Sequence, residues 1–287
     1  MKILEVKNIS YKYSVGTPFQ VTAIDNINFS VEKGEILAII GHTGSGKSTL
    51  IQHFNSLLKP TQGQIILDGK DINESKENMR QARFKVGLCF QYPEYQLFES
   101  TVYKDIAFGP SNMGLEKDEI DKRVRRAASF TGLSEDMLEK SPFDLSGGEK
   151  RRVAIAGVMA MEPEVLILDE PAAGLDPRGR KIIFDLIKNY RKVTGSTVII
   201  VSHSMEDVAS VAERILVLNH GTVALDGTVE QVFSHADELR QMGLNIPQIT
   251  MIFNELNKCG YELDKSVFVI EQAEKAILNY LQKGGNV

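Results

Sequence analysis

The amino-terminal part of the chain carries short apolar stretches separated by turn residues, a pattern typical of β-strands. The stretch from Ile24 to Val31 alternates apolar and polar positions, which predicts a strand with one buried face. The run from Ile36 to Ile40 is apolar throughout, which predicts a strand buried on both faces. Further strands are predicted at Ile3 to Val6, Tyr11 to Tyr13, Gln64 to Leu67 and Lys85 to Gln91. We therefore expect this part of the chain to be rich in β-structure.

A helical pattern begins at about residue 93. The segment from Asp118 to Thr131 mixes charged and apolar residues at helical spacing, which predicts a helical subdomain over about residues 93–160. After it, continuous apolar runs at Val165 to Leu168 and Val198 to Val201 flank a helical segment from Arg178 to Lys192. This order of strand, helix and strand predicts a buried parallel sheet.

The carboxyl-terminal part is predicted to contain a hairpin and then helices. The hairpin pairs Arg214 to Leu218 with Thr222 to Leu225. Beyond Ser234, apolar residues recur on one face of each of two helical segments. They are Ile249, Ile252, Phe253 and Leu256 in the first segment, and Ala273, Ile277, Tyr280 and Leu281 in the second. We divide the chain into a domain of residues 1–234 and a helical extension of residues 235–287.

Composition excludes several classes of function. The chain has 287 residues, of which 43% are hydrophobic, and a formal net charge of −5, so we expect no nucleic-acid partner. No apolar run reaches the roughly 20 residues that cross a bilayer. Charges among the first residues argue against a secretory signal, so we expect a cytoplasmic protein. Cys89 and Cys259 lie far apart and predict neither a disulfide framework nor a metal site.

A glycine-rich segment follows the strand at Ile36 to Ile40 and opens a helical pattern, as in a phosphate-binding P-loop. Its residues are Gly41, His42, Thr43, Gly44, Ser45, Gly46, Lys47, Ser48 and Thr49. We expect Lys47 to reach the β- and γ-phosphates and Ser48 to offer its hydroxyl to Mg²⁺. Apolar residues continue at helical spacing to Leu58, so the helix is predicted to run until Pro60. The sequence predicts a site for a nucleoside triphosphate.

Two carboxylates end the predicted strand at Val165 to Leu168. Asp169 and Glu170 emerge at the carboxyl edge of a parallel sheet, where α/β folds bind ligands. We expect Asp169 to hold Mg²⁺ together with Ser48, and Glu170 to polarise the water that attacks the γ-phosphate. A strand that ends in Asp-Glu is weak evidence alone, and the P-loop upstream gives it weight.

The segment from Leu145 to Glu149 reads Leu-Ser-Gly-Gly-Glu and precedes an apolar helix. Ser146 and Glu149 fit a helix capping box, which is a structural role, whereas the amides of Gly147 and Gly148 can face an anion. The segment resembles the signature motif of ATP-binding cassette (ABC) ATPases, and the order of motifs is similar to that family over residues 1 to about 235. Glu149 stands where glutamine is more usual, and Ala172 stands where threonine is common, from which we expect modest effects on rate.

The resemblance implies an α/β P-loop NTPase fold with a mixed sheet core, an antiparallel β subdomain, a helical signature subdomain and a helical extension. It also implies that ATP and Mg²⁺ bind between the P-loop of one subunit and the Ser146-Gly147-Gly148 segment of another. Four further roles follow from it. Tyr13 would stack on adenine, with Tyr11 as a less favoured substitute; Gln91 would sense Mg²⁺ or the attacking water; Asp176 would link the two sites; and His203 would contact the γ-phosphate.

Other segments resemble the ATPases of energy-coupling factor (ECF) transporters, namely Gly16 to Phe19, His42-Thr43, Phe90 to Phe98 and Leu244 to Pro247. The first two resemble the second of the two ATPase paralogues in those transporters, and the last resembles their carboxyl-terminal extension. The resemblance implies three partners: a second ATPase subunit, which is a copy or a paralogue, a membrane scaffold protein and a small substrate-binding membrane subunit. It also implies a peripheral location on the cytoplasmic face of the cell membrane, uptake of a vitamin or transition-metal ion, and an extension that helps to hold the ATPase pair together.

Alternatives remain open at this point. From periodicity alone, the extension fits equally well as a tail packed on its own core. The ATPase subunit of a conventional importer that uses a solute-binding protein is the main functional alternative. A regulatory nucleotide-binding protein without turnover is another. ABC proteins of DNA repair fit poorly, because no sustained heptad pattern lies between Ser48 and Ser146. Translation-linked ABC proteins fit poorly too, because the chain has a single P-loop and a single signature segment.

Overall fold

The computed structural model describes residues 1–264 and 266–282. Its strands are β1 (Lys2–Tyr13), β2 (Val21–Glu32), β3 (Ile36–Ile40), β4 (Gln62–Leu67), β5 (Lys70–Asp71), β6 (Val86–Cys89), β7 (Val165–Asp169), β8 (Thr197–Val201), β9 (Arg214–Asn219) and β10 (Thr222–Thr228). Its α-helices are α1 (Lys47–Phe54), α2 (Lys76–Lys85), α3 (Val102–Asn112), α4 (Lys117–Thr131), α5 (Glu135–Leu138), α6 (Gly147–Met159), α7 (Pro177–Thr194), α8 (Met205–Val211), α9 (Val229–Ser234), α10 (Ala236–Gln241), α11 (Gln248–Lys258) and α12 (Ile270–Gln282).

The smaller sheet is antiparallel and has the strand order β2-β1-β4-β5. Its apolar residues, such as Leu4 and Ile27, face the core and are fully buried. The prediction of two separate strands before residue 14 is wrong, because β1 is continuous. Its pairing register with β2 shifts between Val6 and Ile9, where Asn8 has a left-handed backbone with φ 51°. A bulge there absorbs the polar residues without ending the strand.

The larger sheet positions the functional site. Its order is β10-β9-β3-β8-β7-β6, with parallel pairing except between β9 and β10. Every residue of β3, β7 and β8 is buried, as the continuous apolar runs predicted. The carboxyl ends of β3, β6, β7 and β8 therefore meet at one edge of the sheet. The predicted mixed sheet, with a terminal antiparallel hairpin, is confirmed.

Helix α1 ends at Phe54, so the prediction that it continues to Pro60 is wrong. Two polar residues turn the chain instead. Ser56 has a left-handed backbone with φ 56°, and its hydroxyl donates to Asn73 Oδ1 at 2.9 Å. The Asn55 side chain accepts a hydrogen bond from the amide of Leu57, whose own side chain is exposed. These bonds outweigh the apolar spacing on which the longer helix was predicted.

The helical subdomain packs α3, α4 and α6 around one apolar cluster that continues onto α7 and one face of the larger sheet. Helix α4 begins within one residue of its predicted start. Helix α2 was missed, because most of its residues are charged or polar and only Ala82 is buried. The available signal was Ser75, whose side chain caps the helix by accepting a hydrogen bond from the Asn78 amide.

The extension packs against the domain through its first part and through Phe268, which lies between α11 and α12. Leu239, Leu244, Ile246 and Phe268 join a cluster with Ala38 and other residues of β3 and β9. Helices α11 and α12 form a smaller cluster with Phe253 and Ala273 at its centre. Apolar residues remain exposed on their outer faces, including Ile252, Ile277, Leu278 and Leu281. No helix within the described ranges is long and apolar enough to cross a membrane.

This shared cluster generates a prediction about stability. Leu239 is fully buried, so Leu239→Ala should lower the free energy of unfolding by about 2–5 kcal/mol through lost burial and a new cavity. Ile252→Ala, on the exposed face of α11, should change it by about 0.5 kcal/mol or less. Denaturant unfolding of both variants tests this, and equal effects would contradict a core shared between extension and domain.

Candidate active site

A cleft of about 950 Å³ opens at the carboxyl edge of the larger sheet. The loops that follow β3, β6, β7 and β8 all contribute to its wall. The structure brings together there most of the residues predicted to bind the nucleotide, the metal or the attacking water. They are Gly41, His42, Thr43, Gly44, Lys47, Ser48, Gln91, Asp169, Glu170 and His203.

The P-loop is held by close packing of its glycines. A Cβ on Gly46, which has φ 101°, would lie 2.7 Å from the Ala23 carbonyl oxygen. A Cβ on Gly41 would lie 2.4 Å from the Leu218 carbonyl oxygen. Gly46 is also the N-cap of α1, and no side chain within the described ranges caps that helix. Its first amides are therefore available to an anion, with the positive end of the helix dipole behind them.

Lys47 folds back across the loop. Its Nζ donates to the carbonyl oxygens of Gly41 at 2.7 Å and His42 at 2.9 Å. Burial lowers the pKa of Lys47, while the charges of Glu170 and Asp169 oppose that effect and favour the ammonium form. The side chain is thus a cation held at the centre of the cleft, with flexible reach toward a phosphate.

Ser48 and Asp169 form the candidate metal site. The Ser48 hydroxyl donates to Asp169 Oδ2 at 3.3 Å. Burial raises the pKa of Asp169, repulsion from Glu170 raises it further, and the Ser48 bond and Lys47 charge oppose this. The positive charge near Asp169 is therefore too small to offset burial and repulsion. A hydroxyl and a carboxylate are a donor set that fits Mg²⁺, and Gln91 lines the same cleft.

Glu170 and His203 form a close pair at the mouth of the cleft. His203 Nδ1 lies 2.7 Å from Glu170 Oε1, and the histidine side chain is 69% exposed whereas the glutamate is 12% exposed. Glu170 has a left-handed backbone with φ 51°, a conformation that costs about 1–3 kcal/mol for such a residue. Its amide donates to the Val201 carbonyl oxygen at 2.9 Å, which anchors it to β8. The structure thus aims a carboxylate into the cleft from a strained backbone.

Tyr13, Thr49, Ser45 and Gly46 lie beside the cleft and do not line it. The Tyr13 hydroxyl is 3.2 Å from Thr49 Oγ1 at the start of α1, and its ring is exposed. The Tyr11 ring instead packs edge-on against Tyr13 and His53. Tyr13 is therefore the more accessible of the two rings, and its role with adenine stays a prediction.

Ser146, Gly147, Gly148 and Asp176 do not line the cleft either. Ser146 and Glu149 form the predicted capping box of α6, which is confirmed. The Ser146 hydroxyl holds the pKa of Glu149 below its ordinary value. Asp176 caps α7 by accepting a hydrogen bond from the Gly179 amide at 2.6 Å. Both Ser146 and Asp176 are exposed, so these motifs are open to a second molecule.

Another wall of the cleft was missed by sequence reasoning. It consists of Met205, Glu206 and the part of the extension that lies between α10 and α11 or begins α11, namely Gly243, Leu244, Asn245, Ile246, Gln248 and Met251. The backbone N–H of Gln248 donates to Glu206 Oε1 at 3.2 Å, which connects the two parts of this wall. The residues lie too far apart in the chain for a local pattern to reveal the contact.

Comparisons with known proteins agree with this geometry. Residues 24–173 match the family model described as ABC transporter. The energy-coupling factor transporter ATP-binding protein EcfA2 of Clostridium tetani is 54% identical over 276 residues, which are 96% of each chain. The protein of the same name from Clostridium perfringens is 52% identical and covers 97% of this chain and 98% of its own.

Two solved structures are also similar. The structure of cbiO1 from Clostridium perfringens, described as part of the ABC transporter complex cbiONQ, has a TM-score of 0.75 and 43% identity, and covers 88% of this chain and 99% of its own. The dimeric structure of the bacterial ABC transporter cassette MJ0796 has a TM-score of 0.71 and 29% identity. The match covers 79% of this chain and 98% of the MJ0796 chain.

The electrostatics of the cleft generate a prediction about Asp169. Ionisation of this buried carboxyl costs stability in the folded state, so Asp169→Asn should raise the melting temperature at neutral pH. The gain should shrink as the pH falls toward the ordinary carboxyl pKa of about 3.9, because the wild-type carboxyl then becomes neutral in both states. ATP turnover should fall about 100-fold or more. Thermal unfolding across pH checks the first two effects, and an unchanged or lower melting temperature at neutral pH would contradict them.

Proposed function

Because this chain belongs to the ABC transporter family, with relatives that are ATP-binding proteins of the energy-coupling factor type, we propose that it is the ATP-hydrolysing subunit of an ECF importer. ATP hydrolysis by this subunit energises uptake of a vitamin or transition-metal ion through a membrane scaffold subunit. One observation carries the proposal: a single cleft gathers the P-loop, Asp169, Glu170 and His203 in a chain similar to these relatives over nearly its full length.

The chemistry proposed for the cleft is in-line transfer of the γ-phosphoryl group to water. The free amides of α1 bind phosphate oxygens, and Lys47 turns from its carbonyl partners to the β- and γ-phosphates. Mg²⁺ held by Ser48, Asp169 and Gln91 would supply positive charge to the phosphate oxygens. Glu170 accepts a proton from the attacking water. His203 holds the Glu170 carboxylate in its aimed position and reaches the γ-phosphate.

The proposed active form is a pair of ATPase subunits. Ser146, Gly147 and Gly148 lie outside the cleft of their own chain, at the start of α6, where amides can bind an anion. In a pair they would cover the nucleotide in the partner's cleft, and Asp176 would lie between the two sites. The dimeric cassette MJ0796 is a precedent at 29% identity. The partner is a second copy of this chain or a paralogue.

An exposed aromatic patch supports a membrane partner. Tyr92, Tyr95 and Phe98 are exposed in the segment that follows Gln91, and the exposed Phe108 on α3 packs edge to face against Phe98 at 5.0 Å. Clustered exposed aromatic residues mark interaction sites in proteins. We assign the patch to the membrane scaffold, and we propose that the chain lies peripherally at the cytoplasmic face of the membrane in a complex that also contains a small substrate-binding subunit. The similar cbiO1 is described as part of the ABC transporter complex cbiONQ, which supports a role in an assembly.

Turnover by Glu170→Gln tests the catalytic assignment. The amide cannot accept the proton, so kcat should fall about 100-fold or more while ATP binding is retained. Glu206→Gln is the matched control, because Glu206 lines the same cleft outside the proposed catalytic pair, and its kcat should stay within about 2-fold of wild type. A steady-state phosphate-release assay on the assembled transporter measures both. Equal turnover of wild type and Glu170→Gln would remove Glu170 as the base, and no turnover of wild type would favour a regulatory protein.

A second prediction concerns pairing through the extension. Truncation after Ser234 would also remove buried residues such as Leu239, so a surface variant is the cleaner test. Leu278→Lys, on the exposed face of α12, should weaken ATP-dependent dimerisation about 10-fold. Val193→Lys on α7 is the control, because the two side chains are similarly exposed at 50% and 56%. Sedimentation velocity with ATP in the Glu170→Gln background measures dimerisation, and equal behaviour of both variants would contradict a role of the extension in pairing.

A further inference from the structure

Arg151 is a buried cation that the chemistry of the cleft does not use. It lies on α6, three residues beyond the Ser146-Gly147-Gly148 segment, and only 3% of its surface is exposed. A buried guanidinium is costly unless its N–H groups are bonded and its charge is paired. The groups that bond to Arg151 therefore indicate the role of this buried charge.

The charge of Arg151 is paired with Glu94. Arg151 Nη2 donates to Glu94 Oε1 at 2.7 Å, and Arg151 Nε donates to Glu94 Oε2 at 3.1 Å. This is a two-bond pairing with the geometry that arginine allows and lysine does not. Glu94 belongs to the short 3₁₀ helix Pro93–Gln96, which directly follows Gln91 and Tyr92. The guanidinium also lies 5.9 Å from the centre of the Tyr92 ring.

The remaining bonds of Arg151 reach the segment that follows the catalytic carboxylates. Its Nη1 donates to the carbonyl oxygen of Ala173 at 2.6 Å and to that of Pro171 at 3.4 Å. These residues lie between Glu170, at the mouth of the cleft, and Asp176, at the start of α7. One guanidinium therefore joins α6, the segment after Gln91 and the segment after Glu170.

We propose that Arg151 is a positioning residue that transmits movement between the segment after Gln91 and the residues that surround ATP. The proposal rests on the function proposed above, because Glu94 lies in the same segment as Tyr92, Tyr95 and Phe98 of the aromatic patch that receives the scaffold. A shift of that patch moves Glu94, and the two-bond pairing carries the shift to α6. The carbonyl bonds carry it to the backbone that presents Glu170 and Asp176. Nucleotide binding moves the patch by the reverse route, since coupling between two sites is reciprocal.

The chain offers a direct reporter of this coupling, because it contains no tryptophan. Tyr92→Trp places the only tryptophan of the chain in the patch, beside Arg151, where it is excited selectively over the tyrosines. In the full chain with Glu170→Gln, added ATP and Mg²⁺ should change the emission of this reporter with the same midpoint as ATP binding. Binding is measured separately by calorimetry on the same protein.

Two variants then break the junction and leave the P-loop untouched. Arg151→Lys keeps the charge and loses the two-bond pairing, and Glu94→Gln removes the opposite charge at the same size. Each should remove most of the ATP-induced emission change, because the link between the two segments is broken, while the ATP dissociation constant stays within about 2-fold. Arg123→Lys is the matched control, because Arg123 bonds to Glu119 and to the Met161 carbonyl oxygen in the same subdomain.

Several outcomes would overturn the proposal. Arg151→Lys and Glu94→Gln could respond to ATP as the Arg123→Lys control does, or ATP could leave the emission unchanged with Arg151 intact. Loss of ATP binding in a folded Arg151→Lys would also overturn it, because the proposal leaves the cleft intact. If Arg151→Lys fails to fold by thermal unfolding, Glu94→Gln decides alone. A failure of the proposed ATPase function is distinguishable, because it is seen as absent turnover of the wild-type transporter and does not involve the reporter.

Discussion

Parallel pairing of the buried strands is the constraint on which the site depends. β3, β8 and β7 lie side by side in register, with Ile39 opposite Val201 and Val201 opposite Asp169. The P-loop, His203 and Glu170 each leave the sheet within a few residues of these positions, so they meet at one edge. The bond from the Glu170 amide to the Val201 carbonyl extends the pairing one residue beyond β7. A shift of one residue in this register would turn the carboxylates away from the P-loop.

The second constraint is charge. Within the cleft, the two adjacent carboxylates Asp169 and Glu170 face one lysine, and burial weakens the preference of both Asp169 and Lys47 for their charged forms. The charges of these side chains are poorly compensated by the protein alone. A divalent cation beside the carboxylates and a phosphate chain beside the lysine would compensate them together. The residues proposed to complete the anion site, at the start of α6, do not line the cleft of their own chain. The need for a second subunit, as proposed, follows from this separation of the start of α6 from the cleft of the same chain.

Much of the site could be predicted because its residues sit in short, continuous motifs next to strongly apolar strands. The P-loop and the Asp169-Glu170 pair are of this kind, and the structure brings them together as expected. His203 and Gln91 needed the family resemblance, since a lone histidine or glutamine carries no signal. The wall made by Glu206 and Gly243 to Met251, and the pairing of Arg151 with Glu94, could not be predicted, because each depends on packing between distant segments. The early end of α1 was missed because the tertiary bond of Ser56 overrides a local apolar pattern.

The central claim is that the chain energises an ECF importer, and its partners test that claim most directly. A tagged full-length chain is extracted from membranes in mild detergent, and the proteins that co-purify are identified by mass spectrometry. The account predicts a polytopic scaffold, a small hydrophobic substrate-binding subunit and a second ATPase subunit. Recovery with a pair of large permeases and a solute-binding protein would contradict the ECF assignment. Recovery from the soluble fraction alone would contradict transport altogether.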